Sequence, residues 1–184
     1  MKFTPQAIPE IVLIEPIMLG DERGHFSETF RQDLFDTAIG RKINFVQDNE
    51  SKSSKGVLRG LHYQINPYSQ SKLVKVIEGV VLDVVVDIRK SSPTFGEHLA
   101  IELKADNKQQ LFIPCGFAHG FVVLSETATF VYKVDNYYSS EHERGIAFDD
   151  KDLKINWQLK PQILKLSNKD LNHPTLANIQ DLLN

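Results

Sequence analysis

The sequence predicts a mainly β fold of the sandwich or barrel type, with a few short helices. Apolar runs rich in β-branched residues recur along the chain, and most of them are bounded by clusters of Gly, Pro, Asn or Asp. Helical spacing is confined to two short segments. The apolar runs are IVLIEP, FSETF, INFVQDNE, SKLVKVIEGVVLDVVVDI, HLAIEL, QLFIPCGFAHGFVVL and ATFVYKV.

Length and composition indicate one soluble globular domain over residues 1–184, because no linker, repeat or low-complexity tract divides the chain. The formal charge of −3 argues against a nucleic-acid partner, which usually selects a strongly basic face. The first residues, MKFTPQAIPEIVLIEP, are too polar and too interrupted by proline for a signal peptide. No apolar run approaches the roughly 20 residues that cross a bilayer, so we expect no membrane partner.

The single cysteine, Cys115, leaves no possibility of an internal disulfide and fits a reducing compartment. We therefore expect a cytoplasmic protein. We also expect Cys115 to be a buried bystander, because the sequence shows no nearby cation that would activate its thiol.

The two helical segments are short. RQDLFDTAIG, residues 31–40, has apolar residues at helical spacing and ends at Gly40, a common helix stop. NIQDLLN, residues 178–184, is expected to form a short terminal turn.

The segment from Leu73 to Ile88 is predicted to form two strands joined by a tight turn at Glu78–Gly79. Asp83 lies in the second strand, which is apolar on both faces around it. A buried carboxylate is costly unless it is paired, so we expect a polar partner for Asp83. A structural role and a catalytic role are both open for this residue.

The stretch RGLHYQ, residues 59–64, combines a strand pattern with polar side chains. Because successive side chains of a strand alternate, His62 and Gln64 are expected on one face and Arg59 on the other. The face that carries His62 has three possible uses, which are packing, metal binding and proton transfer.

Two regions have the residue spacing of the cupin barrel, a double-stranded β-helix also called the cupin jelly roll. GVLRGLHYQ and KLVKVIEG match the first cupin motif, and PCGFAH matches the second. The metal-ligand positions of these motifs, three histidines and a glutamate in cupins, hold His62, Gln64, Lys72 and His119. A lysine ammonium repels a dication and glutamine is a poor ligand for zinc or iron, so the sequence predicts the cupin fold without its metal.

The remaining groups suit removal of a proton next to a carbonyl. The predicted cavity holds two histidines, His62 and His119, and one lysine, Lys72. A histidine is a base with a pKa near working pH, and a lysine can stabilise an enolate oxygen. A two-sided proton transfer also needs an acid on the opposite face, for which Tyr132 in FVYKVDNYY is the candidate. Each of these residues alone is more often a packing residue, and only their combination favours catalysis.

Long segments rich in polar residues resemble the dTDP-4-dehydrorhamnose 3,5-epimerase family of cupin-related nucleotide-sugar epimerases. They are DERGHFSETF, FVQDNESKSSKGVLRGLHYQ, KLVKVIEGVVLDVVVDIRKSSPTFG, FIPCGFAHGF, VYKVDNYYSSEHERGIAFDD and LSNKD, and they extend over nearly the whole chain. The resemblance implies an isomerase that inverts C3 and C5 of a dTDP-linked 4-keto-6-deoxyglucose through an enolate, giving dTDP-4-keto-L-rhamnose.

The resemblance also implies roles for individual residues and no redox or metal cofactor. His62 is the base, Asp170 holds it in its tautomer, Tyr132 is the acid, and Lys72 stabilises the enolate oxygen. The implied substrate-binding residues are Arg23 and Arg59 on the diphosphate, Glu28, Gln47 and Asn49 near the nucleoside with Phe26 beside them, Tyr138 stacked on thymine, and His119, Glu143 and Lys169 elsewhere in the site. Family members are homodimers whose N-terminal strands cross over, so Arg23, Phe26 and Glu28 are expected to serve the partner's site.

Several alternatives remain open at this point. An epimerase that acts at C3 or C5 only, or on another nucleotide-linked 4-keto sugar, would keep the fold and the chemistry. A non-catalytic sugar-nucleotide-binding cupin would not need a base and an acid together. A metal-dependent cupin oxygenase or isomerase is disfavoured by Gln64 and Lys72. The opposite directions expected for Arg59 and His62 conflict with one shared substrate, and a bend at Gly60 is the expected resolution.

Overall fold

The structure, a computed structural model, describes residues 1–182. The strands are β1 (Lys2–Pro5), β2 (Val12–Glu15), β3 (Met18–Asp21), β4 (Gly24–Ser27), β5 (Gln47–Ser54), β6 (Leu58–Gln64), β7 (Lys72–Glu78), β8 (Val80–Asp87), β9 (His98–Lys104), β10 (Gln110–Ile113), β11 (Phe117–Val123), β12 (Thr127–Val134) and β13 (Glu143–Gly145). The helices are α1 (Gln32–Ile39) and three short 3-10 helices, Pro161–Ile163, Asp170–Asn172 and Leu176–Asn178. None of the helices in residues 1–182 is long and apolar enough to cross a membrane.

Two antiparallel sheets face each other. The six-stranded sheet has the order β1-β2-β10-β7-β12-β5, and the five-stranded sheet has the order β13-β6-β11-β8-β9. From β5 onward, consecutive strands change sheet at every connection except β8–β9, which is the connectivity of a jelly roll. The prediction of a mainly β cupin jelly roll with few helices is confirmed.

The apolar core between the sheets draws on both of them. Val74, Val76 and Phe130 come from the six-stranded sheet, and Val81 and Val85 come from β8 of the five-stranded sheet. Because side chains of a strand alternate, the neighbouring residues of these strands point outward and need a cover of their own.

Each sheet has such an outer cover. On the five-stranded sheet, Leu82 and Val86 of β8 pack in one cluster with Trp157 from the C-terminal segment. On the six-stranded sheet, Phe35 of α1 packs edge-on against Phe112, with 5.2 Å between ring centroids. Strand β8 is therefore buried on both faces, as its apolar sequence predicts.

The predicted helix and the predicted turn are both present. Helix α1 ends at Gly40, whose φ of 75° is left-handed. Strands β7 and β8 meet at Gly79, with φ 78°, where a Cβ would lie only 2.0 Å from the carbonyl oxygen of Thr127. Glycine is therefore required at this corner, where the chain passes from one sheet to the other.

Three local expectations differ from the structure. In INFVQDNE the strand begins only at Gln47, because Ile43 and Phe45 pack in the cluster under α1 instead of continuing the sheet. In FSETF only the first two residues lie in a strand, β4. The terminal turn expected over 178–184 extends beyond the described residues, and within them the last regular element is the 3-10 helix Leu176–Asn178.

Cys115 is exposed, so the expectation that it is buried is wrong. It lies in the turn between β10 and β11, which divides the apolar run QLFIPCGFAHGFVVL into strands of different sheets. The neighbouring Gly116 has a φ of 95°, and a Cβ there would lie 2.7 Å from carbons of the Arg89 side chain. The Arg89 side chain therefore packs against the backbone of Gly116, while the side chain of Cys115 lies at the surface.

Candidate active site

A cavity of about 400 Å³ opens between the two sheets, where polar side chains interrupt the apolar core. Strands β6 and β11 form one wall, and strands β5, β7 and β12 form the wall across from it. Eight of the residues predicted for the site line this cavity. They are Asn49, Arg59, His62, Lys72, His119, Tyr132, Lys169 and Asp170.

His62 and Asp170 form a hydrogen-bonded pair in the cavity wall. His62 Nε2 lies 2.5 Å from Asp170 Oδ1, although the two residues are 108 positions apart in the chain. The His62 side chain is 27% exposed and that of Asp170 only 6%, so the carboxylate is shielded while the imidazole faces the cavity. An acceptor at Nε2 keeps the proton on that nitrogen and leaves the lone pair of Nδ1 available as a base.

Ser167 orients the carboxylate of Asp170. Its Oγ donates to Asp170 Oδ2 at 2.8 Å, and the Asp170 N–H donates back to the same Oγ at 3.2 Å. Burial by itself would raise the pKa of Asp170, but hydrogen bonds from His62 and Ser167 outweigh it and hold that pKa below its usual value. The carboxylate is therefore ionised at neutral pH and stabilises positive charge on His62.

Tyr132 stands on β12, in the wall across the cavity from His62. Burial raises the pKa of its phenol, an effect that Arg59 partly opposes. The phenol therefore holds its proton at neutral pH until a strongly basic atom takes it.

Lys72 reaches into the cavity from β7. Its Nζ donates to the backbone oxygen of His62 at 3.4 Å, which places the amine beside that residue. Burial lowers the pKa of Lys72 to about 8, while the nearby carboxylates of Asp83 and Glu143 counteract that fall. The amine is mostly protonated at pH 7 and can stabilise negative charge that develops on an oxygen.

His119 and Asp83 form a second pair in the same cavity region. His119 Nε2 lies 2.9 Å from Asp83 Oδ2, and the side chains are 7% and 0% exposed. Burial lowers the pKa of His119, and the Asp83 carboxylate opposes this effect. The polar partner expected for Asp83 is thus His119. Asp83 was not among the predicted site residues, although its lone carboxylate in an apolar strand pointed to such a partner.

Arg59 points to the same side of β6 as His62, so the expectation of opposite directions is wrong. On β11, His119 pairs with His62 and Phe121 pairs with Arg59, so β6 carries one extra residue between these two pairings. A bulge of this kind resets the alternation of side chains. Gly60 occupies the bulge, where a Cβ would lie 2.5 Å from Gly120 Cα, and this is the break that the sequence led us to expect.

Three predicted residues lie together at one edge of the cavity, which we call the rim. They are Lys169, which lines the cavity, and its neighbours Glu143 and Tyr138. The Tyr138 hydroxyl donates to Glu143 Oε2 at 2.7 Å, and Lys169 Nζ pairs with the same oxygen. Burial would raise the pKa of Glu143, but the bonds from Lys169 and Tyr138 lower it. Gln47 joins the rim through its Oε1, which accepts from the Tyr138 N–H at 3.3 Å, and through its amide, which donates to Asn49 Oδ1 at 2.9 Å.

Arg23, Phe26 and Glu28 do not line the cavity of their own chain. Arg23 and Phe26 lie on the hairpin β3–β4, where Phe26 is 69% exposed and Arg23 pairs with Asp21. Within one chain, these three predicted residues therefore stand outside the site.

Several cavity residues were not predicted from the sequence. Ser167 stands three positions before Asp170. Serine side chains often hydrogen-bond to backbone groups a few positions away, so this spacing could have indicated a contact with Asp170. Phe121 and Phe130 form apolar wall, and their ring centroids lie 4.2 Å apart in a stacked arrangement. His173 lies behind the cavity wall, with its Nε2 3.6 Å from Asp170 Oδ1, and it had no distinguishing pattern in the sequence.

The donor set does not fit the metal centre of the cupin motif. Lys72 offers an ammonium, and both hydrogens and the oxygen of the Gln64 amide are bonded to backbone groups. The ligand atoms of His62, Asp170 and His173 lie within 4.8 Å of one another, but His62 Nε2 and Asp170 Oδ1 are already bonded to each other. The arrangement is that of an acid–base site.

A jelly roll whose cavity holds a histidine–aspartate pair, a lysine and a facing tyrosine contains the groups that an isomerase needs to move protons on carbon. The sequence profile of the dTDP-4-dehydrorhamnose 3,5-epimerase family matches residues 5–178. The chain belongs to the dTDP-4-dehydrorhamnose 3,5-epimerase family, and the resemblance seen in the sequence is confirmed.

Individual relatives are similar over nearly their whole length. A dTDP-4-dehydrorhamnose 3,5-epimerase of Shigella flexneri is 58% identical over 165 residues, which cover 90% of this chain and 90% of the relative. One of Pseudomonas aeruginosa is 53% identical over 178 residues, 97% of each chain. The crystal structure of a dTDP-6-deoxy-D-glucose-3,5-epimerase of Legionella pneumophila, in complex with dTDP-4-keto-L-rhamnose, is 47% identical, covers 97% of this chain and 94% of its own, and superposes with a TM-score of 0.93.

Proposed function

We propose that this chain is an epimerase that inverts C3 and C5 of dTDP-4-keto-6-deoxyglucose and gives dTDP-4-keto-L-rhamnose. The observation that carries the proposal is the placement of a polarised histidine, His62, and a protonated tyrosine, Tyr132, on opposite walls of one cavity. Inversion of a carbon centre requires that a proton leave one face and that another arrive on the other face. A base and an acid on opposite walls meet that requirement.

The proposed reaction begins at His62. Its Nδ1 takes the proton from the carbon next to the C4 ketone, and the electron pair of the C–H bond moves into an enolate. The resulting imidazolium is stabilised by Asp170, 2.5 Å from Nε2. The enolate oxygen is stabilised by the Lys72 ammonium. Tyr132 then gives its proton to the opposite face of the carbon, and the C4 ketone re-forms. His62 releases its proton to solvent and Tyr132 takes one up from solvent, and the same sequence at the second carbon then completes the double inversion.

The remaining cavity and rim residues are proposed to bind the nucleotide and the sugar. Arg59 lies beside His62 on the bulged strand, where its guanidinium can bind the diphosphate. Tyr138 is proposed to stack on the thymine base, since the residue is 56% exposed while its hydroxyl is bonded to Glu143. Gln47 and Asn49 are proposed near the nucleoside. His119, Glu143 and Lys169 are proposed at further contacts with the substrate.

We further propose a homodimer in which the hairpin β3–β4 enters the partner's site. The hairpin exposes large apolar side chains, with Leu19 64% and Phe26 69% exposed, and contiguous exposed apolar surface usually marks an interface. Arg23, Phe26 and Glu28 would then complete the partner's nucleotide site. Sedimentation velocity of the full chain checks the assembly, and a monomer at micromolar concentration would exclude it.

A cytoplasmic location is proposed on the basis of the single cysteine. Cys115 is exposed and has no second cysteine in the chain with which to form a disulfide. Such a thiol is typical of proteins in a reducing compartment.

Incubation with dTDP-4-keto-6-deoxyglucose in deuterated water tests the proposed reaction. We expect deuterium at both C3 and C5, detected by NMR or mass spectrometry, because each inversion replaces a carbon-bound proton by one that exchanges with solvent. Deuterium at one carbon only would identify a monoepimerase, the alternative that keeps the fold and the chemistry. No incorporation at either carbon would exclude the epimerase.

A further inference from the structure

Gln64 is a buried residue of the site strand to which no substrate role has been assigned. It ends β6 two positions after His62 and is 5% exposed. Its Nε2 donates to the carbonyl oxygens of Tyr68 at 2.8 Å and Tyr137 at 3.2 Å, and its Oε1 accepts from the Ser139 N–H at 2.6 Å. Both amide hydrogens and one oxygen lone pair are therefore used on backbone groups of two loops.

Two of these bonds hold the backbone on either side of Tyr138. The Tyr137 carbonyl belongs to the peptide group that precedes Tyr138, and the Ser139 N–H belongs to the peptide group that follows it. Gln64 thus fixes both peptide planes from which the Tyr138 side chain extends. Tyr138 is 56% exposed, so its side chain is held chiefly by its backbone and by the bond from its hydroxyl to Glu143.

We propose that Gln64 is a positioning residue for nucleotide recognition, which places the Tyr138 ring at a set distance from His62. The inference rests on the proposed function, in which Tyr138 stacks on the base and His62 removes the sugar protons. His62 and Gln64 are two positions apart on β6. This one strand would then set the distance between the group that acts on the sugar and the ring that binds the base. A motif position that holds a metal ligand in cupins is used here as a support for the base-binding loop.

Only glutamine satisfies all three backbone groups from this position. A glutamate would still accept from the Ser139 N–H, but its anion would face the two carbonyl oxygens of Tyr68 and Tyr137. A methionine has a similar length, but its thioether has no N–H to donate and is only a weak acceptor. It would leave all three buried backbone groups unpaired. Gln64→Glu and Gln64→Met therefore remove the support in two different ways.

The first measurement is the dissociation constant of dTDP, determined by calorimetry on the full chain. We expect Gln64→Met and Gln64→Glu to raise it about tenfold, as expected for loss of a buried polar contact. Inorganic pyrophosphate, which lacks the base, should bind to these variants as it does to the parent chain. In steady-state kinetics with the sugar nucleotide, KM should rise by a larger factor than the factor by which kcat falls. Tyr137→Ala is the matched control, because it removes a neighbouring exposed ring and keeps the backbone carbonyl that Gln64 binds; its dTDP affinity should be unchanged.

The second measurement is a double-mutant cycle with Tyr138→Ala. If Gln64 acts through Tyr138, the double variant should bind dTDP no more weakly than Tyr138→Ala alone. Additive losses would overturn the inference, as would unchanged dTDP affinity in both Gln64 variants. If Tyr138→Ala itself left dTDP binding unchanged, the proposed base contact would fail, and the inference with it. If neither Gln64 variant showed a cooperative thermal transition, Gln64 would be a folding residue and the inference would be wrong.

Discussion

Two histidine–aspartate pairs lie in the same cavity region, and their surroundings differ sharply. In the first pair, His62 is 27% exposed and lies 2.5 Å from Asp170, which comes from a turn 108 positions later. In the second pair, His119 is 7% exposed and lies 2.9 Å from Asp83, on the adjacent strand β8. The same residue types thus occur once at an accessible wall and once in the interior.

The difference teaches that access, more than residue type, separates a base from a supporting pair. A catalytic imidazole must reach a substrate proton with one nitrogen while a carboxylate polarises the other, and the accessible, Asp170-bonded His62 fits the base proposed above. His119 has the same kind of partner and also lines the cavity, but its side chain is far less exposed. The carboxylate of Asp83 instead acts on Lys72, whose pKa it raises against the effect of burial. The two pairs are therefore expected to respond differently to matched substitutions.

The largest effect is expected from His62→Asn, which removes the base but keeps a polar side chain. Deuterium exchange at C3 and C5 should fall by about 10³-fold or more, because the variant lacks the proposed base. His98→Asn on β9, outside the cavity, is the matched control and should retain full exchange. Exchange within tenfold of the parent chain in His62→Asn would place the base elsewhere.

An intermediate effect is expected from Asp170→Asn. The amide of asparagine can donate to His62 Nε2, which would leave the proton on Nδ1 and block the base, so kcat should fall by about 100-fold with little change in KM. Nitrogen NMR of the His62 ring reports the tautomer directly. A full rate in this variant, or an unchanged tautomer with a reduced rate, would contradict the orienting role of Asp170.

The smallest effect is expected from Asp83→Asn, and it should depend on pH. Loss of this anion disfavours the Lys72 ammonium, so the pKa of Lys72 should fall below about 8. The charged form of Lys72 exists below its pKa, and the decline of activity at alkaline pH should therefore begin at a lower pH. At pH 7 the rate should fall less than about tenfold, since one pKa unit changes a protonation ratio tenfold.

A pH–rate profile of kcat, recorded beside the thermal unfolding curve of the same protein, checks this prediction. If activity declined at the same alkaline pH in the variant and in the parent chain, Asp83 would have no effect on the pKa of Lys72. If folded Asp83→Asn lost as much kcat as Asp170→Asn, the two histidine–aspartate pairs would be equally important for the rate, and the proposed difference between them would be wrong.

Much of this molecule was predictable from local patterns. Period-two runs and the spacing of GVLRGLHYQ and PCGFAH predicted the jelly roll, and Gly40 and Gly79 marked ends of elements that the structure contains. Eight residues that line the cavity were predicted from the sequence, most of them with a role that only the resemblance supplied. The errors lie where a local pattern has two outcomes. Ile43 and Phe45 could extend a strand or cover a helix, and only the position of α1 decides between them.

The sequence by itself determined the fold class, the family and the absence of cupin metal ligands at Gln64 and Lys72, because these depend on residue types at given spacings. The tertiary structure alone decided which histidine is accessible, which carboxylate it meets, and where Arg59 points. The bulge at Gly60 turns Arg59 toward His62, and folding brings Asp170 to it from 108 positions away. Strand register and burial are properties of packed neighbours, and a local pattern of residues does not contain them.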